Sequence, residues 1–272
     1  MYRFLMMAAV SIAAGSTAFA QTPVQRGEYL VNSILNCGNC HTPRGPAGAD
    51  KPFAGGNLFD EPPAFKVYST NLTPDKETGL GGWTADQIKR AIMQGVRPNG
   101  TALAPIMPSA FYAGLTARDA DAIVAYLRSL KPVKNEVKAP EYMQAVKHGK
   151  LPAPGKLSRK ARRGHYLATI GHCMECHTPM EKGALQVSTA MGKGGREFKG
   201  PWGVAISRNI TSDKEKGLGG WTDAEIKRAI TQGVSKNGEK LKPPMGYAAY
   251  AKMTESDLND LVAYLRTVPA KR

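Results

Sequence analysis

Past its first 20 positions the 272-residue sequence has no long apolar run. A spanning helix needs about 20 consecutive apolar residues, so no integral membrane segment is expected in the mature chain. Cysteine is scarce, and none of the four stands outside two short clusters. That excludes a disulfide framework if the clusters have another use. No stretch alternates apolar and polar residues convincingly, so no strand is expected. Acidic residues are also in short supply. Against 22 Asp+Glu there are 37 Lys+Arg, for a net charge of +15. Such a charge favours acidic partner surfaces, and it also attracts nucleic acid or anionic membrane.

What is present begins with a leader. Arg3 supplies a positive start, Phe4 to Ala14 are mostly apolar, and Ala18-Phe19-Ala20 is a small-x-small cleavage pattern. Residues 1–20 therefore read as a signal peptide, and the protein is expected in the periplasm of a bacterium. An exported protein meets little nucleic acid, so none is expected as a partner.

The rest is a duplication. Arg26-Gly27-Glu28-Tyr29-Leu30 returns as Arg163-Gly164-His165-Tyr166-Leu167, and Asn71 through Trp83 returns as Asn209 through Trp221. The offset of 138 in the second pair also holds at Gly95/Gly233, Met107/Met245, Tyr112/Tyr250 and Tyr126/Tyr264. Leu30 lies seven positions before Cys37, whereas Leu167 lies six before Cys173. Domains are expected over 21–132 and 158–272, joined by a Lys-, Pro- and Ala-rich linker at 133–157.

Each repeat carries three helix signals. Gly27, Leu30, Val31 and Ile34 share one face, as do Ile88, Ala91, Ile92 and Gly95. Thr84-x-x-Gln87 and Thr222-x-x-Glu225 are capping boxes. A last helix runs from Thr116 to about Leu130, and its copy carries Leu258, Leu261, Val262 and Leu265 on one face. The expected fold class is all-α. Three short helices bury little surface unaided, so each domain needs a staple.

The cysteines supply it. Cys37-Gly38-Asn39-Cys40-His41 and Cys173-Met174-Glu175-Cys176-His177 are c-type haem attachment patterns, in which two thiols bond the haem and the next histidine meets the iron. Zinc is the competing reading, but zinc ribbons space their pairs by about 15–20 residues, far less than the distance between Cys40 and Cys173. A thioredoxin-like pair would need βαβ surroundings. Two covalently bound haem c groups are therefore expected.

A sixth iron ligand must come from elsewhere, and methionine is common in that role. Met107 in Pro105-Ile106-Met107-Pro108 and Met245 in Pro243-Pro244-Met245-Gly246 hold the same repeat position. Met253 pairs with Leu115 and reads as core. His165, His172 and His148 read as surface or structural residues. Trp83 and Trp221 fit either propionate binding or helix-start packing. Asn71 and Asn209 fit loop caps more than an approach to the propionates. Ser158-Arg159-Lys160-Ala161-Arg162-Arg163 is either a docking patch or a solvated helix lead-in.

The run Thr70 to Thr84 and its counterpart Arg208 to Thr222, taken with the haem motifs, resembles the cytochrome c subunits of bacterial membrane alcohol and sugar dehydrogenases. The resemblance implies two tandem class I-like cytochrome c domains, with His41/Met107 and His177/Met245 as axial pairs. Those subunits typically carry three haems and attach to the membrane, whereas this chain has two haem motifs. The expected role is a periplasmic electron relay and not an enzyme. Electrons would arrive from a dehydrogenase and leave toward another cytochrome or a terminal oxidase. The rival expectation is a dihaem peroxidase, which needs an open iron position. A gas-binding sensor is a third reading.

Overall fold

The structure is a computed structural model that describes residues 21–48, 50–146 and 149–272. The expected signal peptide and His148 lie outside the described residues.

The first repeat opens with α1 (Pro23–Tyr29), started by a capping box between Thr22 and Gln25. The helix then widens into a π-helical turn at Leu30–Ile34, closed by Leu35 N–H to the Leu30 carbonyl at 2.9 Å. A π-turn takes up one extra residue without breaking the helix. The turn thus absorbs the additional position before Cys37. Asn36 then turns left-handed (φ 49°), and α2 (Gly38–His41) carries the end of the first motif. Strands β1 (Leu58–Glu61) and β2 (Phe65–Tyr68) form an antiparallel hairpin. Helix α3 (Ala85–Gln94) starts at the Thr84 capping box and stops at left-handed Gly95. A single turn, α4 (Ser109–Tyr112), precedes α5 (Ala117–Ser129), whose N-cap is Thr116. The segment after α5 stays on this repeat. Asn71 Nδ2 donates to the Val133 carbonyl at 2.8 Å, and β3 (Glu141–Tyr142) pairs with β2.

The second repeat follows the same order. Helix α6 (Arg159–Ile170) runs straight from Ser158 with no π-turn. His172 repeats the left-handed turn (φ 42°) before α7 (Cys173–Cys176). Two hairpins follow, β4 (Met180–Glu181) with β5 (Ala184–Leu185) and β6 (Glu197–Gly200) with β7 (Gly203–Ile206). Helix α8 (Asp223–Gln232) uses the second capping box. A turn, α9 (Tyr247–Tyr250), leads to α10 (Glu255–Leu265), capped by Thr254.

The first and last helices of each repeat cross at a glycine. A Cβ on Gly27 would collide with the Ala122 carbonyl, and one on Gly164 with the Asp260 carbonyl. The helix backbones touch only because these positions lack a side chain. One apolar cluster runs through both repeats, from Leu30, Ile34, Ile88 and Ile123 to Leu167, Ile226, Leu261 and Val262. Met253 and Leu115 are both buried in it.

The all-α expectation is incorrect. Among the described residues seven strands accompany the helices, in one three-stranded and two two-stranded antiparallel sheets. No strand exceeds four residues, too short for alternation to show in the sequence. β2 alternates, with Phe65 and Val67 buried over Ala104 in a small second cluster.

Candidate functional site

Each Cys-x-x-Cys-His motif sits where a first helix ends and turns. The left-handed Asn36 and His172 redirect the chain, so each cysteine pair lies on a short helix against the apolar cluster. Cys37 and Cys173 both pack on that cluster. All four cysteines are free and half-buried. Burial pushes the Cys37 and Cys173 thiols up to about 12 and that of Cys40 to about 11. Among the described residues one cluster has metal-ligand spacing, His172 with Glu175 and Cys176. It borrows a cysteine from the second motif.

Both motif histidines are oriented alike. Nδ1 of His41 lies 2.7 Å from the Thr70 carbonyl, and Nδ1 of His177 lies 2.6 Å from the Arg208 carbonyl. Thr70 and Arg208 each follow their hairpin by two residues, so β2 and β7 deliver the acceptors. A carbonyl can only accept, so Nδ1 carries the proton and Nε2 keeps its lone pair. Burial lowers the pKa of both imidazoles, with the carbonyl bonds opposing it, and the rings are held neutral.

The two methionine loops are built on one plan. Each starts at the left-handed glycine that ends α3 or α8. Leu103 N–H returns to the Gly95 carbonyl and Leu241 N–H to Gly233, both at 2.7 Å. Arg90 donates to the Arg97 carbonyl at 2.9 Å, and Arg228 to Ser235 at 3.0 Å. Met107 is half-buried against the core that also takes Cys37, and Met245 is half-buried in its own turn. Beside the methionines the loops differ at two positions, Ile106 against Pro244 and Pro108 against Gly246. Gly246, in the place of Pro108, lies so close to Asn36 that a Cβ there would meet its amide at 2.5 Å. The exchange of proline for glycine reflects contact between the repeats.

Two arginines were not anticipated from sequence. Nε of Arg90 and Nε of Arg228 are buried and have no protein partner. Their shared repeat position was the available signal, masked because both sit in amphipathic helices. The asparagines act as loop caps. Asn71 Oδ1 accepts from Thr73 and Asn209 Oδ1 from Thr211. Trp83 and Trp221 pack half-buried on the core at their helix starts. His172 stacks edge-on against Tyr112 of the other repeat, centroids 6.0 Å apart. Arg163 is engaged with Asp257 at 3.2 Å, so it is a packed residue and not part of a free patch.

Comparison with known proteins gives two family matches. The model described as "Cytochrome C oxidase, cbb3-type, subunit III" matches residues 22–127, and the one described as "Cytochrome c" matches residues 161–269. Over 98% of its length the chain is 30% identical to the fructose dehydrogenase cytochrome subunit of Gluconobacter japonicus, covering 58% of that protein. It is 31% identical over 96% of its length to the cytochrome c subunit of the quinone alcohol dehydrogenase of Gluconacetobacter polyoxogenes, covering 60%. It is 27% identical over 86% of its length to a dihaem c-type cytochrome of Cereibacter sphaeroides, covering 82%. The chain thus spans a little over half the length of these alcohol and fructose dehydrogenase subunits.

Proposed function

Since the chain is a c-type cytochrome with two covalently bound haems, similar to the cytochrome c subunits of alcohol and sugar dehydrogenases, we propose that it passes electrons from a dehydrogenase to a respiratory acceptor. It does so from two domains, 21–132 and 158–272, on the periplasmic side of the membrane after removal of residues 1–20. No helix among the described residues is long and apolar enough to cross a membrane.

The residues fit the cofactor. Cys37 and Cys40 attach one haem, and Cys173 and Cys176 the other. His41 and His177 offer Nε2 to iron because their Nδ1 protons are spent on carbonyls 2.7 and 2.6 Å away. That matched pair of bonds is the observation that carries the reading. Met107 and Met245 offer thioethers from loops whose backbones are closed by hydrogen bonds. The unpartnered Nε–H groups of Arg90 and Arg228 are donors suited to a carboxylate such as a propionate. When bound, haem c supplies a one-electron iron couple whose potential the protein sets through ligands, burial and hydrogen bonds. The protein's part is to hold both sets of donors still, so that gaining or losing an electron demands little rearrangement.

The peroxidase alternative finds no support. The relatives reported above are named as cytochrome subunits or a dihaem cytochrome, and both methionine loops are closed alike.

The test is reduction by a quinoprotein or flavoprotein dehydrogenase oxidising an alcohol or sugar. Wild-type protein should gain the sharp bands of ferrous cytochrome c when enzyme and substrate are both present. The Cys37→Ser/Cys40→Ser variant should carry one haem per chain and gain half the signal. A protein that stays oxidised with such donors, or a variant that keeps two haems, would contradict the reading.

A further inference from the structure

The two repeats differ in what covers their second hairpin. In the first, β2 is sandwiched between β1 and β3, with Lys66 opposite Glu141 and Phe65 opposite Tyr142. Lys138 lies over the Tyr68 ring at 5.8 Å. The offset of 138 places Val204 where Lys66 stands and Ile206 where Tyr68 stands. Among the described residues β7 pairs with β6 alone. Val204 is 46% exposed and Ile206 60% exposed. They lie two apart on a strand, so both project from the same face. Val204 sits across from Lys199, and Ile206 across from Glu197. The methionine loop runs alongside, tied by Lys242 Nζ to the Val204 carbonyl at 3.3 Å and by Glu239 to Arg208 at 2.7 Å. It adds exposed Lys240 and Lys242.

An apolar centre with a basic rim is thus left open on one repeat, while its counterpart on the other is closed by the chain itself. The position matters because β7 leads directly to Arg208, whose carbonyl orients His177. Lys242 also blunts the strand edge by taking an outward carbonyl. That disfavours strand addition and leaves the side-chain face as the contact.

We propose that this face, with Val204 and Ile206 at its centre and Lys199, Lys240 and Lys242 on its rim, docks a redox protein whose own contact surface is apolar and rimmed by carboxylates. The second repeat is then the one that exchanges electrons with that partner, and the first communicates through it. This inference rests on the electron-carrier reading. Apolar contact supplies the short-range fit, and the lysine rim speeds encounter and makes it sensitive to salt.

The probe is an acidic blue-copper protein, with electron exchange to the full dihaem chain followed by stopped flow. Ferricyanide and ascorbate are run in parallel to show that each variant's haems still cycle. In 10 mM salt, Val204→Ser/Ile206→Ser should slow exchange with the probe about tenfold. Lys199→Glu/Lys240→Glu should slow it at least as much, and that difference should fade near 1 M salt as charges are screened. Leu58→Ser, which removes the exposed leucine of the first hairpin, should leave the rate unchanged. The proposal is overturned if Val204→Ser/Ile206→Ser exchanges at the wild-type rate, if Leu58→Ser is slowed equally, or if the probe does not react while the small reagents do. Failure of the wild-type haems to cycle with the small reagents would instead remove the carrier reading beneath it.

Discussion

Tyr29 of the first repeat donates its phenolic hydrogen to Asp257 of the second at 2.8 Å, and the same oxygen accepts the Thr254 N–H at 3.1 Å. The repeats return the bond. Tyr166 donates to Asp119 at 2.6 Å and accepts from Thr116 N–H at 3.5 Å. Each tyrosine on a first helix therefore docks on the N-terminus of the other repeat's last helix. Burial raises the pKa of both phenols, that of Tyr166 to about 12, so they remain donors. The arrangement has the self-complementary form of a two-fold interface within one chain.

Removing either hydroxyl leaves an aspartate short of one donor. Tyr29→Phe and Tyr166→Phe should each cost ~1.5 kcal/mol, as for a hydrogen bond to a charged group. The double variant should loosen the repeats from each other. Calorimetry of the holoprotein should resolve one unfolding transition in wild type and two in the double variant. A single unshifted transition would mean that the apolar cluster alone unites the repeats.

Asp119 also makes a paired contact with Arg26, Nε to Oδ1 at 2.9 Å, with both side chains largely buried. Burial raises the carboxyl's pKa, but the bonds from Arg26 and Tyr166 outweigh it and hold it below the usual 3.8. A depressed folded value means stability that is complete above the unfolded pKa and is lost as pH falls through the folded one. Asp119→Asn should therefore cost ~3 kcal/mol at neutral pH, as for a broken buried pair. Its unfolding curve should converge on the wild type as pH falls through the depressed folded pKa of Asp119. Denaturant titrations across pH 2–7 would reveal a constant gap if Asp119 were not the responsible group.

The methionines separate by spectroscopy. Met107→Ala and Met245→Ala should each remove half of the weak sulfur-to-iron band at the red end of the oxidised spectrum. Met253→Ala should keep the whole band and instead lose ~2–4 kcal/mol of stability, the cost of a core cavity. Loss of the band in Met253→Ala would reassign the ligand.

The glycines at the helix crossings yield a sharper prediction than those in the loops. At Gly27 and Gly164 the obstacle to a Cβ is a backbone carbonyl, which cannot move aside without shifting a helix. Gly27→Ala and Gly164→Ala should each cost ~3 kcal/mol in denaturant unfolding. At Gly246 the obstacle is the end of the Asn36 side chain, which can rotate. Gly246→Ala should cost under ~1 kcal/mol, and less still in an Asn36→Ala background. Equal losses at Gly27 and Gly246 would refute this distinction between rigid and yielding neighbours.

Much of the candidate site is proposed from the sequence because its determinants are local or repeated. The haem motifs, both capping boxes and the paired methionines stand at fixed spacings that duplication makes visible twice. The hairpins were hidden because Glu197–Gly200 and Gly203–Ile206 are too short for a period to emerge. The Tyr29–Asp257 contact was hidden for another reason, since its partners stand 228 residues apart and carry no local signature. The one-residue difference before Cys37 was visible as spacing, but only the π-turn at Leu30–Ile34 shows how the helix absorbs it.

In the proposed role both irons are closed by six ligands and serve only to carry electrons. The most direct measurement is a reductive titration of the purified holoprotein, with carbon monoxide and hydrogen peroxide added to the oxidised, half-reduced and fully reduced forms. An uptake of two electrons per chain is expected, with no rapid carbon monoxide binding and no peroxide turnover in any of the three states. Rapid carbon monoxide binding at one haem, together with peroxide consumption driven by an external reductant, would contradict it.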